Sequence, residues 1–142
     1  MIKGKIYVGT SLHNAKRAKE LITRFEELGI QCTYDWTQHG QVFSQEELTK
    51  YGLAEEQGVA EADVFLCVFP GRCGTHFEMG LARGLKIPIV LLEEEIVEQK
   101  TFYYLPGLHR VKTEEQAVAT ILNILRQGHD DISQARIGCD AD

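Results

Sequence analysis

The run Val64-Phe65-Leu66-Cys67-Val68-Phe69, followed at once by Pro70-Gly71-Arg72-Cys73-Gly74, constrains this chain more than any other segment. Consecutive apolar residues without alternation read as a strand buried on both faces, as in a parallel sheet covered by helices. The proline and the two glycines end that strand in a tight loop. Thr75 then opens a helix whose small residues Gly80, Ala82 and Gly84 permit close packing on the sheet. In open parallel sheets the ligand sits outside the carboxyl ends of the strands, where this loop lies. Gly71 and Gly74 let the backbone approach a ligand, and the amides of the new helix face the same crevice, a setting suited to a sugar or a phosphate. Glu78 falls in the first turn of that helix, where the helix dipole favours the anion; it is expected to be ionised and available as a nucleophile.

The rest of the chain repeats the pattern. Strands are expected at 5–9, 30–34, 64–69, 87–92 and 108–111, and helices at 13–28, 44–61, 75–85 and 113–125. The first helix carries Ala15, Ala18, Leu21, Ile22, Phe25 and Leu28 at helical spacing and stops at Gly29. Ser44 followed by Glu47 resembles a capping box opening the second. Strands alternating with helices predict a doubly wound α/β fold: a five-stranded parallel sheet of order 2-1-3-4-5, with helices on both faces. The topological switch then lies between the first and third strands and sets Gly9, Thr10 and Ser11 beside Gly71, Arg72, Gly74 and Thr75. Residues 1–126 read as a single domain, and 127–142 as a polar, flexible tail.

Composition removes several classes of function. With 142 residues the chain can bury one ordinary core, and a net charge of −6 argues against a nucleic-acid partner, which needs a basic face. Four cysteines show no CxxC spacing, and five histidines form no HExxH or paired Cys/His pattern, so no metal or other cofactor is expected. No apolar stretch approaches membrane-spanning length, and the chain opens into a strand pattern instead of a signal peptide. The expectation is a cytoplasmic protein with no membrane partner.

Between residues 55 and 82 these features follow an order: an acid (Glu55), Ala62-Asp63 opening an apolar strand, the loop from Gly71 to Gly74, then Glu78-Met79-Gly80-Leu81-Ala82 on a helix. This segment resembles the core of the nucleoside 2-deoxyribosyltransferase-like enzymes, and the strand at 5–9 resembles their opening strand. The resemblance implies a flavodoxin-like fold and cleavage of the N-glycosidic bond of a nucleoside or nucleotide, with the sugar passing to another base or to water. It puts the covalent nucleophile on Glu78, the acid that protonates the leaving base on Glu55, and a tyrosine touching the nucleophile on Tyr7. Two carboxylates are also what glycoside cleavage demands in general. Where the family commonly carries Asp or Ser, this chain has Arg72, a cation suited either to a phosphate-bearing substrate or to holding Glu78 in place.

Each residue also has a plainer reading. Glu55 is flanked by Glu56 and fits a solvated acidic face; Tyr7 fits a core tyrosine; Trp36, after the second strand, fits a loop anchor as well as a platform for a base. Asp63 is expected to bond loops and caps, and Cys73 to be a bystander thiol. Phe102, Tyr103 and Tyr104 in a loop are costly to expose. The resemblance implies that Tyr103 or Tyr104 closes the site of a neighbouring subunit in a homo-oligomer, the alternative being a lid within one chain. The Pro-Gly-x-x-Gly-Thr-x-x-Glu spacing also resembles the cytokinin-activating phosphoribohydrolases. A third reading is a non-catalytic nucleotide-binding module, or a signalling module like the Toll/interleukin-receptor domains.

Overall fold

The computed structural model describes residues 2–42, 44–95 and 99–140, with the backbone alone over 129–140. Five strands form its sheet: β1 (Lys5–Gly9), β2 (Gln31–Cys32), β3 (Val64–Val68), β4 (Ile89–Leu92) and β5 (His109–Val111). All neighbours pair in parallel, in the order β2-β1-β3-β4-β5, as the sequence predicts. Ile6 lies beside Val64 and Gly9 beside Cys67, so the ends of β1 and β3 open side by side at the switch point. Asp63 locks the opposite end: its amide donates to Lys5 O at 2.8 Å, and its Oδ2 accepts from the Lys5 amide at 2.8 Å. This is the structural role expected of it.

The four helices are α1 (Ala15–Glu27), α2 (Gln45–Glu61), α3 (Cys73–Gly84) and α4 (Glu114–Asp140). α1 buries Ala18, Leu21, Ile22 and Phe25 at the spacing seen in the sequence. Ser44 caps α2 by accepting from the Glu47 amide at 3.0 Å. α1 and α4 share one face of the sheet, joined by ion pairs from Arg17 and Arg24 to Glu114, and α2 and α3 pack together on the other. Every residue of β3 and β4 is buried, as expected for strands covered on both sides.

Three expectations need correction. α3 begins at Cys73, so Glu78 stands in its second turn instead of its first. β2 is only two residues long; beyond it the Thr33 amide still donates to Ile6 O at 3.0 Å, but the chain then peels away from the sheet edge. The last helix does not stop near Leu125 but runs to Asp140, through the stretch read as a tail. Residues 126–140 contain no proline, and a glycine such as Gly128 costs a helix interior only about 1 kcal/mol. Polarity alone does not separate a solvated helix from a coil. Among the described residues no helix is long and apolar enough to cross a membrane.

Candidate active site

At the carboxyl ends of β1 and β3 lies a crevice of about 240 Å³ lined by Thr10, Ser11, Leu12, Trp36, Glu55, Arg72, Gly74, Thr75 and Glu78. Its floor is built by α3, which turns Thr75, Glu78, Met79 and Ala82 inward at helical spacing. Glu78 is only 8% exposed, an unusual place for a carboxyl. Tyr7, fully buried in β1 and stacked on Phe65 at 5.7 Å, donates its hydroxyl to Glu78 Oε2. Gly9 makes the room: a Cβ there would stand 2.8 Å from Phe65 Cζ and 3.6 Å from Glu78 Oε1.

The electrostatics of Glu78 reverse the expectation of a ready anion. Burial pushes its carboxyl up to about 8; the Tyr7 hydrogen bond pulls the other way, and repulsion from Glu55 adds to the rise. The Tyr7 phenol is itself driven far above its ordinary value, first by burial and then by the neighbouring Glu78, so it remains the donor.

Glu55 comes from the middle of α2 and is half-buried on the crevice side, whereas Glu56 is exposed. Burial raises its pKa and His39 lowers it. Around it stands a cluster absent from the sequence reading: Tyr34 Oη and His39 Nε2 share a hydrogen bond, and His39 stacks on Tyr51 at 3.7 Å. Tyr51, Glu55 and Gly58 recur at helical spacing, and a Cβ on Gly58 would lie 2.8 Å from Tyr34 Cβ and 3.1 Å from the Tyr7 ring. That phase along α2 was the available signal; it separates Glu55 from Glu56 and turns Tyr51 to the same side.

The walls are braced at one carbonyl. Thr10 Oγ1 and the Ser11 amide both donate to Pro70 O, each at 3.2 Å, and Asn14 Nδ2 donates to Thr10 Oγ1 at 3.1 Å. Trp36 donates its indole N–H to Val8 O at 2.7 Å, so the loop anchor and the crevice wall are one residue. Arg72 is exposed at the mouth, its backbone amide donating to Thr75 Oγ1 at 3.2 Å.

Gly71, Tyr103 and Tyr104 lie elsewhere. Gly71 is buried behind the loop, where a Cβ would meet Tyr103 Oη at 3.0 Å. Tyr103 is fully buried within its own chain, packed on Phe69 at 4.4 Å and bonded to His76 Nε2 at 2.5 Å. It supports the Gly-rich loop from the rear instead of facing the crevice. Tyr104 is exposed, with the Arg110 guanidinium 4.2 Å from its ring centroid. Cys73 is exposed at the start of α3. Among the described residues no three His, Cys, Asp or Glu side chains converge in a way that could hold a metal ion.

No protein-family profile and no curated protein matches this chain in sequence. Solved structures do resemble it. The CMP N-glycosidase BcmB of Clostridium botulinum is 22% identical, with a TM-score of 0.55 over 84% of this chain and 98% of that one. The 2-deoxyribosyltransferase of Bacillus psychrosaccharolyticus is 18% identical, with a TM-score of 0.59 over 80% and 89%. BlsM, solved in solution, is 24% identical, with a TM-score of 0.60 over 93% and 94%. The parallel sheet, its strand order and these likenesses agree: the chain has the fold of the nucleoside 2-deoxyribosyltransferase-like enzymes.

Proposed function

We propose that this protein cleaves the N-glycosidic bond of a nucleoside or nucleotide through a covalent glycosyl-Glu78 ester and passes the sugar to another base or to water. One observation carries this reading: the buried Glu78 carboxyl, bonded by Tyr7, shares a crevice with the half-buried carboxyl of Glu55. A module that only binds nucleotides has no need of two carboxyls kept out of water there.

In the first step the Glu78 carboxylate attacks the anomeric carbon as the C–N bond breaks. The bonding electrons leave with the base, which takes a proton from Glu55. In the second step Glu55 removes a proton from the incoming base or water, which attacks the anomeric carbon and releases Glu78 as the carboxylate. Tyr7 keeps one oxygen of Glu78 engaged and leaves the other to react. A carboxyl of high pKa is a strong nucleophile once ionised, and its charge opposes the cationic sugar of the transition state most effectively in a dry site. Trp36 offers a flat wall for the base, and Thr10, Ser11, Gly74 and Thr75 surround the sugar.

A nucleotide is the second reading. Arg72 stands at the mouth beside the amino end of α3, where a 5′-phosphate would find a guanidinium and backbone amides. One of the structural neighbours is named for CMP.

The test is incubation with deoxynucleosides, ribonucleosides and their 5′-monophosphates, with and without an acceptor base, followed by chromatography and by mass spectrometry of quenched enzyme. A slow 2-fluoro sugar substrate should label the peptide that holds Glu78. A label elsewhere, or no cleavage of any substrate, rejects the proposal.

A further inference from the structure

The Gly-rich loop that forms one wall of the crevice is propped from behind by a side chain that the proposed chemistry does not use. The Tyr103 ring packs on Phe69, just before the loop, and its hydroxyl is bonded to His76 Nε2, just after it. The same hydroxyl lies 3.0 Å from where a Cβ on Gly71 would stand. Tyr103 belongs to a single helical turn, Thr101–Tyr104, which is too short to hold a position by its own hydrogen bonds. Arg110 of the edge strand β5 holds it. Arg110 Nη1 donates to the Tyr103 carbonyl, and Nη2 donates to Glu93 Oε1, just past the end of β4. The guanidinium carbon lies 4.2 Å from the centre of the Tyr104 ring. Glu93 is buried, and its amide donates to Val111 O at 2.9 Å, so the acid is part of the frame of the sheet.

We infer that Arg110 is a positioning residue for the crevice: anchored on Glu93, it fixes Tyr103, and Tyr103 sets the place of the loop that presents Arg72, Gly74 and Thr75 to the substrate. The consequence for turnover rests on the N-glycosidase reading above, but the chain of contacts can be tested without any substrate. A guanidinium suits this task because it is a rigid fork. Its amino groups point in fixed directions, so bonding a carboxylate with one and a carbonyl with the other fixes the two relative to each other. A lysine has one mobile ammonium and cannot hold both in that geometry. A buried ion pair is in itself weak evidence for stability, because desolvation offsets the attraction. What this pair adds is a fixed location for one carbonyl.

The experiment uses Tyr103→Phe, which keeps the ring and deletes the hydroxyl, Arg110→Lys, which keeps the charge and deletes the fork, and the two together. Glu93→Gln, which loosens the anchor and keeps its shape, stands in for Arg110→Lys if that chain does not fold. Without substrate, nitrogen-15 NMR follows the amides of Gly71, Gly74 and Thr75, with Gly29 at the end of α1 as the internal control. The loop amides should shift and exchange with solvent faster in both single variants, and the Gly29 amide should stay as it is. Loop amides that do not move in the folded variants overturn the inference.

A kinetic arm separates positioning from stability. The loop meets the sugar in the ground state and in the transition state alike, so loosening it raises KM and leaves kcat nearly unchanged. The loop is biased by no more than the worth of one hydrogen bond, so KM should rise by roughly 3- to 10-fold in each single variant. The double variant should be no worse than the poorer single one, because Arg110 acts through Tyr103. A variant that is only less stable loses active enzyme, which lowers apparent kcat at unchanged KM. That result, or losses that multiply in the double variant, rejects the inference. If the wild type cleaves no substrate, the N-glycosidase reading fails, while the loop amides still decide whether Arg110 and Tyr103 place the loop.

Discussion

The Tyr7 hydroxyl, rising from the first strand, meets the Glu78 carboxyl, descending from the third helix, at the buried floor of the crevice. Neither group is placed there by packing alone. The tyrosine ring belongs to the core through Phe65, and its oxygen belongs to the crevice.

Replacing Glu78 by glutamine should abolish turnover while leaving binding nearly intact. The variant keeps the shape and a hydrogen-bond acceptor but cannot attack the sugar. Loss of several orders of magnitude is expected, each tenfold step being about 1.4 kcal/mol of barrier. Steady-state rates together with calorimetric titration of substrate check it; near-normal turnover would reject the assignment.

The same substitution should stabilise the protein in alkali. Glu78 ionises near 8 when folded and near 4.5 in the unfolded chain, so between those values the unfolded state holds fewer protons. Wild-type stability relative to Glu78→Gln must therefore fall as pH rises from about 4.5 to about 8, by about 1.4 kcal/mol per unit at most, and level off above. Denaturant unfolding of both proteins at pH 5 and pH 9 gives the difference; a gap that does not change with pH contradicts it.

Tyr7→Phe removes the interaction that lowers the Glu78 pKa. The ascending limb of activity against pH should move above its wild-type position, with the largest rate loss near neutrality and partial recovery in alkali. A uniform loss at every pH would mean that the hydroxyl serves only the fold.

Gly58→Ala tests how closely α2 must approach the sheet. The new methyl would meet Tyr34 Cβ at 2.8 Å and the Tyr7 ring at 3.1 Å, neither of which can swing aside. Overpacking of this kind costs typically 1–3 kcal/mol, more than the gain of about 1 kcal/mol from alanine in a helix. A lower denaturation midpoint and slower cleavage are expected.

Self-association remains the expectation, with the stretch from Phe102 to Leu105 at or near the interface; Phe102, Tyr104 and Leu105 are exposed there. Light scattering at micromolar concentration should give a multiple of the chain mass, reduced toward one chain by Phe102→Ser with Leu105→Ser.

The fold was readable because its signals are local. An unbroken apolar run at β3, a glycine-rich turn and helical spacing in α1 each need only neighbouring residues, and together they imply strand order. The charge of Glu78 was misread for the opposite reason. The helix dipole was the only influence visible in the sequence, and it is worth about 0.3–1 kcal/mol near the first turn. Burial by β1 and α2 is a sum over distant segments, and it wins. Glu55 could be told from Glu56 only by the phase of α2, and the pairing of His39 with Tyr51 needed a loop to fold back across twelve residues. Tyr103 is buried against Phe69 and His76 by contacts that no spacing in its own segment announces.

The shared bond at Pro70 O ties the first and third βα loops into a single jaw. Thr10 and Ser11 cannot shift without dragging the glycine-rich loop along, so the side of the crevice proposed to meet the sugar is a fixed template. On the opposite side, among the described residues, Trp36 is held to the sheet by its indole hydrogen bond, and His39 is held by the Tyr34 hydroxyl and by stacking on Tyr51. If the proposed function holds, a chain built this way would change which base it accepts by altering one loop, while the chemistry at the sugar stays untouched.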